Sequence, residues 1–220
     1  MIVRFLILLF GSSLALAQLP PCDYEQEPAL YTDYGDWQRT LLDTQFRLPS
    51  DYKPDDLVPV SNAGLNDERS LRELLMPDLR EMLDAAAQQD IYFELQSAYR
   101  SYDVQAQTFE YWVEQEGFEA ALGSSARAGH SEHQLGTALD LRSKGGPAPW
   151  NLDDWATTPE GAWLQENAWR YGFVMSYPDG ERETTCYIYE PWHYRYVGKD
   201  VARALQETGL TLREYLWQTR

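Results

Sequence analysis

The chain has only three histidines, and all fall in two short segments, His130 and His133 in AGHSEHQLGTALD and His193 in EPWHYRYVG. Taken singly, each reads as an ordinary buried or surface histidine. Taken with the carboxylates around them, they read as a ligand set. In GTALDLRS the alternation puts Leu139 and Leu141 on one face and Asp140 on the other, open face. His133 lies on the approach loop, and Gly136 permits a turn between the two. Two imidazoles (His133, His193) and one carboxylate (Asp140) make three ligands and leave one coordination position open. That is the pattern of a catalytic zinc site; a structural site closes with four ligands, usually cysteines, and the chain has two cysteines in all. Glu190 precedes His193 by three residues, with Pro191 between them, so the pair does not sit inside a regular helix. It is then the spare carboxylate that can take a proton from an attacking water and hand it to a leaving amine. Arg100 carries a planar fork of donors suited to a free terminal carboxylate. A surface salt bridge is its alternative reading.

The elements that must position these groups follow from periodicity. Leu79, Met82, Leu83 and Ala86 give one apolar face to a helix over Met76–Gln89, with Pro77 in its first turn. IYFEL alternates as a strand and runs into the SAYRSY turn, then a helix over about 104–116 that stops near Gly117. GTALDLRS is a further strand. Thr158-Pro159-Glu160 opens a helix that Gly172 closes. FVMSY and the aromatic run CYIYEPWHYRYV predict two more strands, in which His193 faces away from Trp192 and Tyr194. A helix from about Asp200 and a Thr211-x-x-Glu214 capping box complete the chain. The fold class expected is α+β, with a small antiparallel sheet carrying the zinc cleft, flanked by helices. Trp150, Trp155 and Trp192 are read either as cleft walls or as core.

Composition narrows the partners. In 220 residues, 35 Asp and Glu stand against 18 Lys and Arg, a net charge of −17. That excludes a phosphate-backbone binder and disfavours an anionic membrane surface, so neither nucleic acid nor membrane is expected as a partner beyond export. The first 17 residues read as a signal peptide: Arg4, an apolar run Phe5–Phe10, and Ala15-Leu16-Ala17 at the cleavage point. A retained anchor is the alternative, but the apolar run is short for a span. An exported protein is expected, in the periplasm or the extracellular wall. Residues 18–54, rich in Pro, Asp and Tyr, read as an extended N-terminal arm, and 55–220 as the enzymatic domain with its C-terminal helices. In an exported chain Cys22 and Cys186 pair as a disulfide tying arm to body, or stay free. A nucleophilic Cys186 is disfavoured because no Lys or Arg flanks it.

Three motifs together carry a family resemblance. SEHQLGTALD fits Ser-x-His-x-x-Gly-x-Ala-x-Asp, EPWH fits Glu-x-x-His, and SAYRSYDVQ is similar to Ser-Gly-Tyr-Arg-Ser-x-x-x-Gln, with Ala98 in place of the commoner Gly. In this order they resemble the VanY-type D-alanyl-D-alanine carboxypeptidases, of the zinc peptidase group that includes lysostaphin-like enzymes and the hedgehog signalling domain. The resemblance spans about residues 55–200. It implies one zinc ion on His133, Asp140 and His193, and Glu190 as catalytic base and acid. It further implies Arg100 as a catalytic and substrate-binding group, and Ser131 and Gln105 as substrate-cleft residues. His130 is not an expected ligand. The implied reaction is removal of the terminal D-Ala from peptidoglycan stem peptides ending in D-Ala-D-Ala, by a monomer. An L,D-carboxypeptidase, a D,D-dipeptidase, a cross-link endopeptidase and, from another class, a non-catalytic wall-binding module with a structural metal are the alternatives.

Overall fold

A computed structural model describes residues 18–24, 29–30 and 35–219; the signal-like segment 1–17 lies outside the described residues. In chain order, β1 (Ala29–Leu30) and β2 (Phe46–Arg47) pair in parallel, and β3 (Leu57–Pro59) pairs antiparallel with β4 (Ser70–Arg72). Next come α1 (Met76–Ala87), β5 (Phe93–Ser97), α2 (Tyr102–Glu116), α3 (Phe118–Ser124) and β6 (Ala138–Ser143). The rest are α4 (Pro159–Asn167), β7 (Phe173–Met175), α5 (Arg182–Thr185), β8 (His193–Tyr196), α6 (Lys199–Thr208) and α7 (Leu212–Thr219). The central sheet is four-stranded and antiparallel in the order β5-β6-β8-β7, so the class is α+β as expected. No described helix is long and apolar enough to cross a membrane.

One sheet face is core. Leu139 and Leu141 of β6 are fully buried and stand opposite Tyr194 of β8 and Leu95 of β5, in one buried cluster with Phe173 of β7 and Leu79 and Met82 of α1. Each such leucine contributes about 1.5–3 kcal/mol through burial. The alternation that sends these side chains inward sends Asp140 and His193 to the other face. The register completes the arrangement, because Asp140 stands directly opposite His193.

The predicted helix caps are present. Thr158 Oγ1 accepts from Gly161 N–H at 3.1 Å, and Thr211 and Glu214 close a reciprocal box in which each side chain accepts the other's backbone N–H. Two predicted elements are displaced. α1 stops at Ala87, and Asp90 takes a left-handed turn (φ +60°), so Ile91 precedes the strand instead of opening it. The long strand expected over 186–197 shrinks to β8. Cys186, itself left-handed (φ +75°), ends α5, and residues 190–193 form a tight turn in which His193 N–H donates to the Glu190 carbonyl at 3.0 Å. Pro191 has no N–H to give a strand ladder there.

The segment read as an extended arm is packed. Leu41, Leu42 and Leu48 are buried, as are Thr40, Asp43, Thr44 and Gln45. Cys22 and Cys186 are joined by a disulfide closing a 164-residue separation. A bridge across so long a loop stabilises by about 2–4 kcal/mol. Among its described residues the arm lacks periodicity because, apart from the two-residue strands β1 and β2, irregular backbone lies against the body. Its polar groups are met by buried side chains: Arg213 Nε donates to Asp43 Oδ2 at 2.7 Å and its other nitrogens to the Pro20 and Thr184 carbonyls.

Candidate metal centre and cleft

His133 reaches the centre through a short 3-10 turn, Glu132–Leu135, capped by Ser131, whose Oγ accepts from His133 N–H at 3.3 Å. Gly136 ends the turn with φ +71°, and a Cβ there would lie 3.0–3.2 Å from Arg72, Leu57 and Pro54 side chains, so the turn into β6 requires glycine. Ala98, just past β5, accepts from His133 Nδ1–H at 2.7 Å. That fixes the tautomer and turns Nε2 inward. There Nε2 is buried, makes no hydrogen bond, and lies 3.3 Å from Asp140 Oδ2. His193 is turned the opposite way. Its Nδ1 faces Asp140 Oδ1 at 2.9 Å, while Nε2 donates to Glu132 Oε2 at 3.0 Å. Tyr177 stacks on its ring at 4.9 Å.

One ligand atom each from His133, Asp140 and His193 falls within 4.8 Å of the others, all three side chains buried. The donor set fits a divalent transition ion such as zinc: two imidazoles with lone pairs directed by partners on their far nitrogens, one carboxylate, and a buried nitrogen with no other partner. Glu190 sits beside them, its Oε2 3.9 Å from His193 Nδ1. Burial, with Asp140 adding to it, pushes the Glu190 carboxyl up to about 7, against the opposing pull of His193 and Arg100. A carboxyl so placed exchanges a proton readily near neutrality.

The two imidazoles are set apart electrostatically. Burial and the Arg100 charge hold His133 down to about 4. Burial also disfavours the charged form of His193, but its hydrogen bonds to Asp140 and Glu132 outweigh this and raise it to about 10. In the metal-free protein the proton of the cluster therefore rests on His193. Asp140 is held well below the usual carboxylate range: both histidines overcome its desolvation.

These groups line one cleft of about 520 Å³ that also takes in Arg100, Ser131, Trp112, Trp150 and Trp192. Arg100 is desolvated, which lowers its pKa, and the neighbouring Asp140 and Glu190 charges oppose that fall. Its backbone N–H donates to the His133 carbonyl at 3.3 Å, tying the two motifs together. At the mouth, Trp150 packs edge-on against Trp112 at 5.8 Å and Trp192 at 6.0 Å. Trp155 is 1% exposed and belongs to the core.

One expectation needs correction. Gln105 does not line the cleft: it shares the inner face of α2 with Phe109, its Nε2 donates to the Ala126 carbonyl at 2.6 Å, and its Oε1 is sealed from solvent. It holds the loop behind the cleft wall. His130 also lies off the cleft. Its Nδ1 is 2.6 Å from the Asp43 carbonyl, Tyr24 packs edge-on against its ring, and burial lowers it to about 4.

The sequence reading passed over Glu132. Its carboxylate is buried, accepts from His193, Arg195 and Ser176 Oγ, and is held at about 2 because those partners overcome its desolvation. A signal was available: Glu132 adjoins His133, and Arg195 shares the His193 face of β8, two residues on.

Comparison with known proteins follows the same lines. The family model "VanY: D-alanyl-D-alanine carboxypeptidase" matches residues 68–199. YodJ of Bacillus subtilis (strain 168) is 38% identical over 179 residues, 80% of this chain, and the chain spans 65% of that protein's length. The LdcB LD-carboxypeptidase structure superposes with a TM-score of 0.75 at 33% identity, covering 90% of this chain and 94% of that one. A variant of the vancomycin resistance D,D-pentapeptidase VanY from a VanB-type cassette, solved in complex with Zn(II), gives a TM-score of 0.69 at 31% identity, covering 82% and 99%. With three motifs in order, the fold that presents them and a family match over more than half its length, this chain belongs to the VanY family of D-alanyl-D-alanine carboxypeptidases.

Proposed function

We propose that this protein is a zinc-dependent carboxypeptidase that removes the C-terminal D-Ala from peptidoglycan stem peptides. The observation that carries the reading is the convergence of one ligand atom each from His133, Asp140 and His193 within 4.8 Å, with Glu190 alongside, in a cleft that also holds Arg100. The same geometry sets this reading above that of a wall-binding module, which needs no desolvated carboxyl beside its metal.

His133, Asp140 and His193 hold the ion. When bound, zinc polarises the scissile carbonyl and acidifies the attacking water. Glu190 takes a proton from that water as its oxygen bonds to the carbonyl carbon. As the C–N bond breaks, Glu190 returns the proton to the departing D-Ala amine. Arg100 presents a fixed positive charge where the terminal carboxylate and the developing oxyanion lie. Ser131 holds the His133 turn and adds a hydroxyl to the cleft wall. The tryptophans at the mouth give flat apolar contact to the stem. All of these groups come from one chain, so the proposed site needs no second copy. Export by the segment ending at Ala17 would bring the protein to its substrate, outside the cytoplasm.

A synthetic pentapeptide ending in D-Ala-D-Ala tests the reading. Free D-Ala is expected to appear in one-to-one yield, to stop on chelation, and to resume when zinc is restored. Zinc-loaded protein that releases no D-Ala from this peptide would sink the D,D assignment. The likeness to LdcB favours a second reading, and D-Ala release from the tetrapeptide alone would select it.

A further inference from the structure

We infer that Glu132 is a positioning residue for the metal centre, and that the N-terminal arm completes this centre through Arg195. The inference rests on the metal-site reading above. Glu132 Oε2 accepts from His193 Nε2 at 3.0 Å, the nitrogen on the far side of the ring from Asp140. Ser176 Oγ donates to the same oxygen at 2.5 Å. The other oxygen, Oε1, accepts from Arg195 at 2.9 Å. Arg195 is fully buried and in turn donates to the Trp37 and Thr40 carbonyls at 2.9 and 2.8 Å. An unbroken line of hydrogen bonds therefore runs from arm backbone to guanidinium, carboxylate and imidazole, ending at Nδ1.

Stability is a poor explanation for this line. Desolvating a carboxylate and a guanidinium together costs about as much as their attraction returns, so buried pairs add little net stability. Orientation is a better one. A carboxylate fixed on one imidazole nitrogen selects the tautomer whose lone pair is on the other, and sets the ring plane. His133 obtains the same service from the Ala98 carbonyl. Glu132 does it for His193 with a full charge, which makes that imidazole the more basic donor. Glu132 itself has three partners, so its carboxylate cannot swing, and one of them is held by the arm. The arm is thus part of the metal site's framework as well as a tether.

Two measurements on the full-length protein decide the matter. In zinc-loaded wild type labelled with ¹⁵N, long-range ¹H–¹⁵N correlations resolve only three imidazoles. His193 should show Nε2–H with the metal on Nδ1, and His133 the reverse. A His193 protonated on Nδ1 overturns the inference whatever any variant does. In Glu132→Gln, zinc affinity measured by chelator competition should fall about 10–100-fold, and the visible bands of the cobalt(II) form should shift. Glu132→Asp should recover part of the loss, and Arg195→Lys, which keeps the charge but not the reach to both carbonyls, should fall about tenfold. A folded Glu132→Gln with wild-type zinc affinity and an unchanged cobalt spectrum contradicts the inference and leaves the proposed activity standing. Wild type that takes up no zinc overturns both.

Discussion

Replacing Glu190 by glutamine is expected to lower kcat for D-Ala release by about 10²–10⁴-fold, the range of general acid–base catalysis, while zinc stays bound at wild-type stoichiometry. The two halves of this result come from one geometry. Glu190 lies 3.9 Å from His193 Nδ1, beside the ligand atoms but not among the mutually close set of three. Its buried carboxyl titrates near neutrality, which suits a group that gains and then loses a proton in each turnover. Glutamine keeps the shape and the packing but can neither accept nor return that proton. KM should change little, because Arg100 and the cleft walls remain. Rate assays with metal analysis of the same sample separate this outcome from two others: a variant that retains activity removes Glu190 from the proton transfer, and one that loses zinc makes Glu190 a ligand.

His133→Ala is expected to remove both metal and activity. Its Nε2 is a buried nitrogen with no other hydrogen bond, so alanine deletes one of three ligand atoms and nothing nearby replaces it. Metal content by mass spectrometry should fall to background at wild-type expression. The wild type carries a related pH dependence, whose sign follows from His193. In the metal-free protein that imidazole is protonated up to about pH 10, so zinc must displace a proton from it. Affinity should therefore rise with pH across the neutral range, about tenfold per unit for one proton released, and fall on acidification. His133, already neutral above about pH 4, adds no slope there. Zinc affinity that stays flat between pH 6 and 8 would show that His193 is not carrying the proton.

The legibility of the sequence was uneven, for physical reasons. The face on which Asp140 lies could be read because strand alternation is local: Leu139 and Leu141 must go inward, so Asp140 must go outward; His133, on a turn, was singled out by the scarcity of histidine and by its motif. The helix ends were legible for the same reason, since Thr158 and Thr211 act on N–H groups three residues away. The arm was not legible. Its burial depends on Arg195 and Arg213, which lie more than 150 residues away in the chain. Gln105 was misplaced because a motif gives a residue type and not the face it presents; its spacing to Phe109 puts it on the inner face of α2. Glu132 was missed because, in a chain with 35 acidic residues, a single glutamate looks like surface until its arginine is found.

The most direct test of the central claim is an anomalous difference map collected at the zinc edge from crystals grown with zinc. The expected result is one strong peak bounded by His133 Nε2, an Asp140 oxygen and His193 Nδ1, with the Glu190 carboxylate next to it. A map with no peak among those three side chains, from protein that still releases D-Ala, would contradict it.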